Sequence, residues 1–119
     1  MAKPAFFSSS SSSLLLFLIF YFISGLNFTM ATQKTWCVAK PSSQDKPLLD
    51  NIAYVCDQVD CGILNKGGPC YLPNNYINHA SVAMNLYYQA KGRNPWNCDF
   101  TKSGLITITD PSYGNCIYE

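Results

Sequence analysis

The sequence predicts a small α+β domain stapled by three disulfides, with two packed α-helices and a short antiparallel β-sheet. Two segments repeat apolar residues at helical spacing, and a later segment alternates β-branched residues as a strand does. An even number of cysteines follows a leader-like segment, which is typical of a secreted disulfide framework. These cysteines are Cys37, Cys56, Cys61, Cys70, Cys98 and Cys116.

Residues 1–31 are predicted to be a secretion signal. Lys3 is their only charged residue, and residues 14–23 form an apolar run about half as long as a membrane-spanning helix requires. Small residues follow this run, and we expect cleavage after Ala31. That cleavage removes the chain's single glycosylation sequon, at Asn27, whereas an earlier cleavage would keep it.

The mature chain, residues 32–119, is predicted to be one domain of neutral charge. Apart from Lys3, the chain carries seven basic and seven acidic residues. A neutral surface does not attract phosphate backbones or anionic lipid, so we expect no nucleic-acid or membrane-surface partner. The chain ends without a hydrophobic tail, which predicts no lipid anchor and a soluble monomer. Three disulfides at about 2–4 kcal/mol each would stabilise a domain too small to rely on apolar burial.

The mature chain is predicted to begin with an extended segment at residues 36–38, which is followed by a helix. Asp45 is predicted to cap this helix, with Pro47 in its first turn. The apolar positions that recur at three- and four-residue steps are Leu48, Ile52, Val55 or Cys56, and Val59. The glycine-rich stretch that follows favours a local disulfide between Cys61 and Cys70.

The second helix is predicted between Asn74, a good N-cap, and Gly92, a good helix terminator. Its apolar stripe comprises Ile77, Ala80, Ala83, Met84, Leu86 and Tyr87. Several amides lie off this stripe and are expected to line one flank of the helix, namely Asn75, Asn78, Asn85 and Gln89.

The last part of the chain is predicted to supply the sheet. Residues 105–109 are β-branched and alternate, which indicates a strand. Residues 110–114 form a turn, and residues 116–118 are expected to return as a second short strand.

Catalytic chemistry finds little support in the sequence. His79 is the single histidine, and with every cysteine paired no thiol is left for it to activate. No nucleophile-elbow motif is present, and so small a domain is poorly suited to set two carboxylates across a substrate cleft. We therefore expect no enzyme activity, no metal site and no cofactor.

The aromatic and amide content favours a binding role. Residues 32–119 hold two tryptophans, one phenylalanine and seven tyrosines. A sugar ring has an apolar C–H face and a polar rim, which tyrosine and tryptophan flanked by asparagine, glutamine and aspartate can match. Protein interfaces use the same residue types, so this composition is not specific for sugar.

Five sequence blocks resemble the plant family 43 carbohydrate-binding module. They are Trp36-Cys37-Val38-Ala39-Lys40, Gly68-Pro69-Cys70-Tyr71, the helical segment from His79 to Gln89, Cys98-Asp99-Phe100 and the segment from Thr109 to Cys116. The resemblance spans Trp36 to Tyr118. A signal followed by a lone module is most similar to the small olive-pollen-type allergens of this family.

The resemblance implies a secreted, non-catalytic module that binds β-1,3-glucan, such as callose or a related polysaccharide of the plant cell wall, in the apoplast. It implies the disulfides Cys37–Cys98, Cys56–Cys116 and Cys61–Cys70, whereas the cysteine count alone leaves fifteen pairings open. An extracellular protein-interaction or defence protein on the same scaffold, without sugar binding, is the alternative function.

Two departures from the family bear on this choice. Val82 and Met84 stand where the family usually has aromatic residues, so they either weaken a sugar-facing surface or refill the core. Trp96 stands where a small residue is usual and would add an exposed stacking platform.

The candidates for sugar contact lie on the second helix, before Cys98 and in the turn after the strand. Aromatic faces would stack on C–H groups, and the polar side chains would orient hydroxyls, whereas Tyr71 and Tyr87 are expected in the core. The candidates are Asn75, Tyr76, Tyr88, Trp96, Asp110 and Tyr113.

Overall fold

The structure is a computed structural model that describes residues 33–119. The predicted signal segment and its sequon at Asn27 lie outside the described residues. Beginning at Thr35, the chain forms an α+β unit, as predicted. Its longer elements, in chain order, are β1 (Trp36–Ala39), α1 (Asp45–Cys56), α2 (Tyr76–Ala90) and β2 (Gly104–Thr107). Short 3-10 helices at Gly62–Leu64 and Pro95–Cys98 lie in the connections.

The first helix follows the predicted apolar spacing, but its N-cap lies one residue earlier than predicted and the helix ends at Cys56, before Val59. Leu48 and Val55 are buried and Ile52 is half-buried on the face that packs against α2. The N-cap is Gln44 rather than Asp45. Asp45 lies in the first turn, where its negative charge interacts favourably with the positive end of the helix dipole. Val59 lies beyond the end of the helix.

The second helix is the centre of the domain. It packs against α1 on one side and against β1 on the other. Asn75, not Asn74, is the N-cap, because its Oδ1 accepts a 2.8 Å hydrogen bond from the backbone N–H of Asn78. The C-terminus is as predicted, since Gly92 takes a left-handed φ of 94°, which costs glycine little.

Contacts on two sides bury more of α2 than an amphipathic stripe implies. Ala80, Ala83 and Met84 are buried as predicted. Asn78, Asn85 and Tyr88, which the sequence pattern placed off the stripe, are buried as well. The predicted amide flank is therefore partly inside the protein, where Asn85 Oδ1 accepts a 3.1 Å hydrogen bond from the Cys37 backbone N–H.

The sheet pairs different segments from those predicted. The strand β2 is antiparallel to β1, with Cys37 opposite Ile106, and residues 116–118 form no strand. Tyr113 and Cys116 instead make an isolated bridge that closes a tight turn. Gly104 is required at the start of β2, because a Cβ there would overlap the carbonyl oxygen of Cys98.

The observed disulfides differ from two of the three pairs that the family resemblance implied. Cys37–Cys98 is confirmed, but the other bonds are Cys56–Cys61 and Cys70–Cys116. Cys56 is the last residue of α1, and the chain reverses so that the Cα atom of Cys61 lies 5.5 Å away. The local bond thus closes the end of α1 and not the glycine-rich loop.

Burial explains why the glycine-rich loop does not contain the local disulfide. Cys61 is half-buried, whereas Cys70 is only 1% exposed and packs in a core cluster with Trp36, Val82, Tyr118 and its partner Cys116. The Cys70–Cys116 bond therefore ties the segment after the first 3-10 helix to the C-terminal segment inside the protein.

Val82 and Met84 both lie in the core. They are 2% and 0% exposed, so they cannot form part of a sugar-facing surface. Of the two alternatives for these departures from the family pattern, the structure confirms core filling.

Candidate functional site

A groove runs along the N-terminal half of α2, and we call it the α2 groove. It consists of two adjoining depressions, of about 680 and about 530 Å³, which share Pro41, Asn75 and Ile77 in their walls. Tyr76 lines the first depression and Tyr113 lines the second. The structure thus brings together three of the residues predicted to contact sugar.

The second depression of the α2 groove carries no charged side chain. Its walls are mostly apolar and include Val38, Ile77 and three prolines, Pro41, Pro73 and Pro111. The hydrogen-bonding side chains that line it are all neutral: Asn75, Asn78, Ser81, Tyr113 and Tyr118. Such a surface suits a neutral ligand that has apolar faces and a few polar groups.

Asn78 holds the loop that forms one wall of the groove. Its Nδ2 donates to the carbonyl oxygens of Cys70, at 3.1 Å, and Pro73, at 3.0 Å. The Tyr113 hydroxyl lies 2.9 Å from Asn78 Oδ1 and 2.7 Å from the carbonyl oxygen of Leu72. The peptide bond between Leu72 and Pro73 is cis. One buried amide therefore fixes the loop and the Tyr113 ring together.

The polar groups of the groove retain hydrogen-bonding capacity. Asn75 uses its Oδ1 as the helix cap, and its Nδ2 has no partner among the described residues. Ser81 Oγ accepts a 3.0 Å hydrogen bond from the Ala39 backbone N–H, and its own proton has no acceptor within residues 33–119. Both groups line the second depression and are available to a ligand.

The remaining sequence candidates lie elsewhere. Tyr88 is 2% exposed, and its hydroxyl is 2.7 Å from Thr35 Oγ1, so its ring is not accessible to a ligand. Trp96 is 72% exposed, as expected of a stacking platform, but it lines neither depression. Asp110 is exposed next to Pro111, and its Oδ1 accepts hydrogen bonds from the Ser112 backbone N–H and hydroxyl.

His79 has a structural contact and not a catalytic geometry. Its Nε2 lies 2.6 Å from the carbonyl oxygen of Tyr71, to which a ring N–H donates, and the two rings are 5.7 Å apart. This agrees with the hydrogen-bonding role that the sequence indicated. Among residues 33–119 no group of three or more His, Cys, Asp or Glu side chains is placed to hold a metal ion.

A second aromatic cluster lies where α1, α2 and the loop before β2 meet. Tyr87 packs edge-on against Phe100, and its hydroxyl is 3.5 Å from that of Tyr54. The hydrogen bond between them lowers the pKa of Tyr54 and raises the pKa of Tyr87. Lys91 Nζ lies 5.4 Å from the Tyr87 ring centre, within reach of a cation–π contact.

Tyr118 is one of the groove residues that were not among the sequence candidates, as are Asn78 and Ser81. It lines the second depression although it is only 8% exposed. Its position depends on the Cys70–Cys116 bond two residues earlier, and no local pattern in the sequence indicates that pairing.

The chain is similar in sequence to one protein family and to several known proteins. Residues 35–105 match the X8 domain. The chain is 49% identical over 87 residues to the major pollen allergen Ole e 10 of Olea europaea, a match that covers 71% of each protein. It is 52% identical over 83 residues to a glucan endo-1,3-beta-D-glucosidase of Olea europaea and 48% identical to a glucan endo-1,3-beta-glucosidase of Triticum aestivum. These matches cover 69% and 70% of this chain but only 18% of each glucosidase, so the chain spans less than a fifth of their length.

Proposed function

The chain belongs to the X8 domain family, the carbohydrate-binding module that the sequence blocks resembled, and on this premise we propose that it is a secreted, non-catalytic module that binds β-1,3-glucan. The ligand would be callose or a related polysaccharide of the plant cell wall, and the protein would act in the apoplast as a monomer. Three disulfides fit an oxidising compartment of this kind.

The observation that supports this function best is the chemistry of the α2 groove. Its second depression combines apolar walls with neutral hydrogen-bonding groups, and Tyr76 and Tyr113 are 44% and 36% exposed along its length. A β-glucan presents an alternation of C–H faces and hydroxyls that such a surface matches. Charged ligands would find no counter-charge in the second depression.

The glucosidase relatives support a role in binding. The part of those proteins that this chain matches is 18% of their length, so a module of this size is one portion of a much larger enzyme. Ole e 10, by contrast, is matched over 71% of its length. We therefore place this chain with the single-module members and propose that it binds glucan without cleaving it.

The burial of Val82 and Met84 weakens the alternative, a protein-interaction or defence role without sugar binding. That alternative was based on these two replacements, but both side chains lie in the core. The glucan-binding surface is not altered by them.

A pull-down on insoluble β-1,3-glucan tests the proposal. The full chain is expressed with its own leader, and the secreted, disulfide-bonded protein is incubated with curdlan or with cellulose, a β-1,4-glucan. We expect retention on curdlan that is reduced by Tyr113→Ala and Tyr76→Ala. The matched control is Tyr54→Ala, because Tyr54 is 54% exposed but lies outside the groove. Retention no better than that of an unrelated disulfide-stapled protein would reject the function.

A further inference from the structure

Tyr118 has a buried ring and a hydroxyl without a hydrogen bond. The residue is 8% exposed and packs with Trp36, Cys70, Val82 and Cys116. Its backbone N–H donates to Ser112 Oγ at 2.8 Å, but no described residue hydrogen-bonds to its phenolic oxygen. Tyr88, which is more deeply buried, differs because its hydroxyl is paired with Thr35.

The unpaired hydroxyl is not sealed inside the core. In residues 33–119 the enclosed side-chain N and O atoms without a partner are Trp36 Nε1 and Asn97 Oδ1, and the Tyr118 oxygen is not one of them. The hydroxyl therefore still reaches solvent. Tyr118 lines the second depression of the α2 groove together with Pro73 and Tyr113. Burial raises the pKa of Tyr118, the Tyr113 hydroxyl is near enough to contribute to the rise, and we therefore assign the Tyr118 hydroxyl to this depression.

An unpaired hydroxyl at this position costs free energy compared with phenylalanine, because the group is largely removed from water and gains no protein partner. The residue belongs to the core cluster that contains the Cys70–Cys116 bond, and no described side chain of that cluster supplies a partner for the hydroxyl. This is the arrangement expected of a group whose partner is a ligand.

We propose that the Tyr118 hydroxyl is a sugar-recognition group that hydrogen-bonds to a hydroxyl of a neutral pyranose ring seated in the second depression of the α2 groove. The inference rests on the proposed function and adds to it the side-chain group that recognises the sugar. The C–H face of the ring lies against the prolines of the groove wall, and Asn75 Nδ2 and the Ser81 hydroxyl are the neighbouring donors.

The absence of charge in the second depression sets the class of ligand. No lysine, arginine, aspartate or glutamate side chain lines it, so an acidic or basic sugar gains nothing there over a neutral one. Burial, together with the neighbouring Tyr113, raises the pKa of Tyr118 far above its ordinary value of 10.0. The hydroxyl thus keeps its proton and remains a donor as well as an acceptor at any physiological pH.

Removing only the hydroxyl tests the inference. The full secreted chain and its Tyr118→Phe variant are titrated with soluble laminarin oligosaccharides in a calorimeter, and their melting temperatures are measured. We expect about 5- to 10-fold weaker binding from the loss of one hydrogen bond, with no fall in melting temperature, since the hydroxyl has no partner in the protein.

Tyr88→Phe is the matched control, because it removes a buried and paired hydroxyl outside the groove. We expect the opposite result, a lower melting temperature with unchanged laminarin affinity. If the native chain binds laminarin and Tyr118→Phe binds equally well, the inference is wrong while the proposed function stands. The same conclusion follows if Tyr118→Phe lowers the melting temperature as Tyr88→Phe does. If the native chain does not bind laminarin, the proposed function and the inference fall together.

Discussion

The hydroxyl of Tyr113 and the Oδ1 atom of Asn78 lie 2.9 Å apart, although 35 residues separate them in the chain. Asn78 is on the first turn of α2, and Tyr113 is in the C-terminal turn, so this contact joins two sides of the α2 groove. The same amide donates to Cys70 and Pro73, which makes its side chain the hub of the groove wall.

The first prediction concerns the stability that this hub provides. Asn78→Ala removes the partner of buried carbonyl groups, and an unsatisfied buried group costs about 1–3 kcal/mol. We expect a loss of at least about 2 kcal/mol in the free energy of unfolding, which for a domain this small lowers the melting temperature by about 10 °C. Circular dichroism during heating measures the change. The control Asn65→Ala removes an exposed amide without side-chain hydrogen bonds and should melt like the native chain. Equal melting of both variants would contradict the role of Asn78.

The second prediction concerns the disulfide pairing. Trypsin cleaves this sequence after Lys and Arg but not before proline, and each of four fragments carries at least one cysteine. The observed pairing links fragment 35–66 only to fragment 94–102, and fragment 67–91 only to fragment 103–119. We expect mass spectrometry of a non-reducing digest to find these two separate complexes.

The pairing implied by the family resemblance gives a different digest. Cys56–Cys116 and Cys61–Cys70, with Cys37–Cys98, would join all four fragments into one covalent complex. That single complex would contradict the structure.

The third prediction concerns Trp96 and the length of the glucan. Trp96 is 72% exposed and outside the groove, so Trp96→Ala should change the free energy of unfolding by less than about 0.5 kcal/mol. We expect weaker retention on insoluble β-1,3-glucan, by about fivefold, through loss of one stacking contact with a further sugar ring. The affinity for a short laminarin oligosaccharide, measured by calorimetry, should not change. An equal loss for polymer and oligosaccharide would place Trp96 in the same site as the groove, and no loss for either would remove it from the binding surface.

The fourth prediction concerns alkaline pH. The pKa of Tyr118 is raised by burial and, to a smaller extent, by Tyr113, so above pH 10.0 the unfolded chain loses a proton that the folded chain keeps. The stability due to this group is therefore complete below its ordinary pKa and falls as the pH rises above it. Guanidinium unfolding at about pH 9 and about pH 11 should show a smaller alkaline loss of stability for Tyr118→Phe than for the native chain. Identical losses would show that the Tyr118 hydroxyl is not protected from ionisation.

Local patterns in the sequence predicted the two helices well, but not the partner of the strand β2. The spacing of Leu48, Ile52 and Val55 gave the inward face of α1, and the glycine at position 92 ended α2, because both depend on interactions within a few residues. The cap of α2 was displaced by one residue, since Asn74 and Asn75 are equally good caps in sequence. The choice between them depends on which side chain faces the N–H of Asn78.

The candidate site was predicted only in part, for a physical reason that Tyr88 illustrates. Helical periodicity tells which residues share a face of α2, but it does not tell how many faces are covered. Because β1 and α1 both pack on this helix, Tyr88 lies in the core, while Asn75 and Tyr76 at its N-terminal end remain exposed.

Composition and short-range spacing were enough to predict the α+β class, the presence of three disulfides, the family and the exposed aromatic residues Tyr76, Trp96 and Tyr113. The bond between Cys70 and Cys116 and the place of Tyr118 in the lining of the groove became evident only from the folded domain. Both depend on which distant segments meet in the core, and that is set by packing of the whole domain and not by neighbours in the chain.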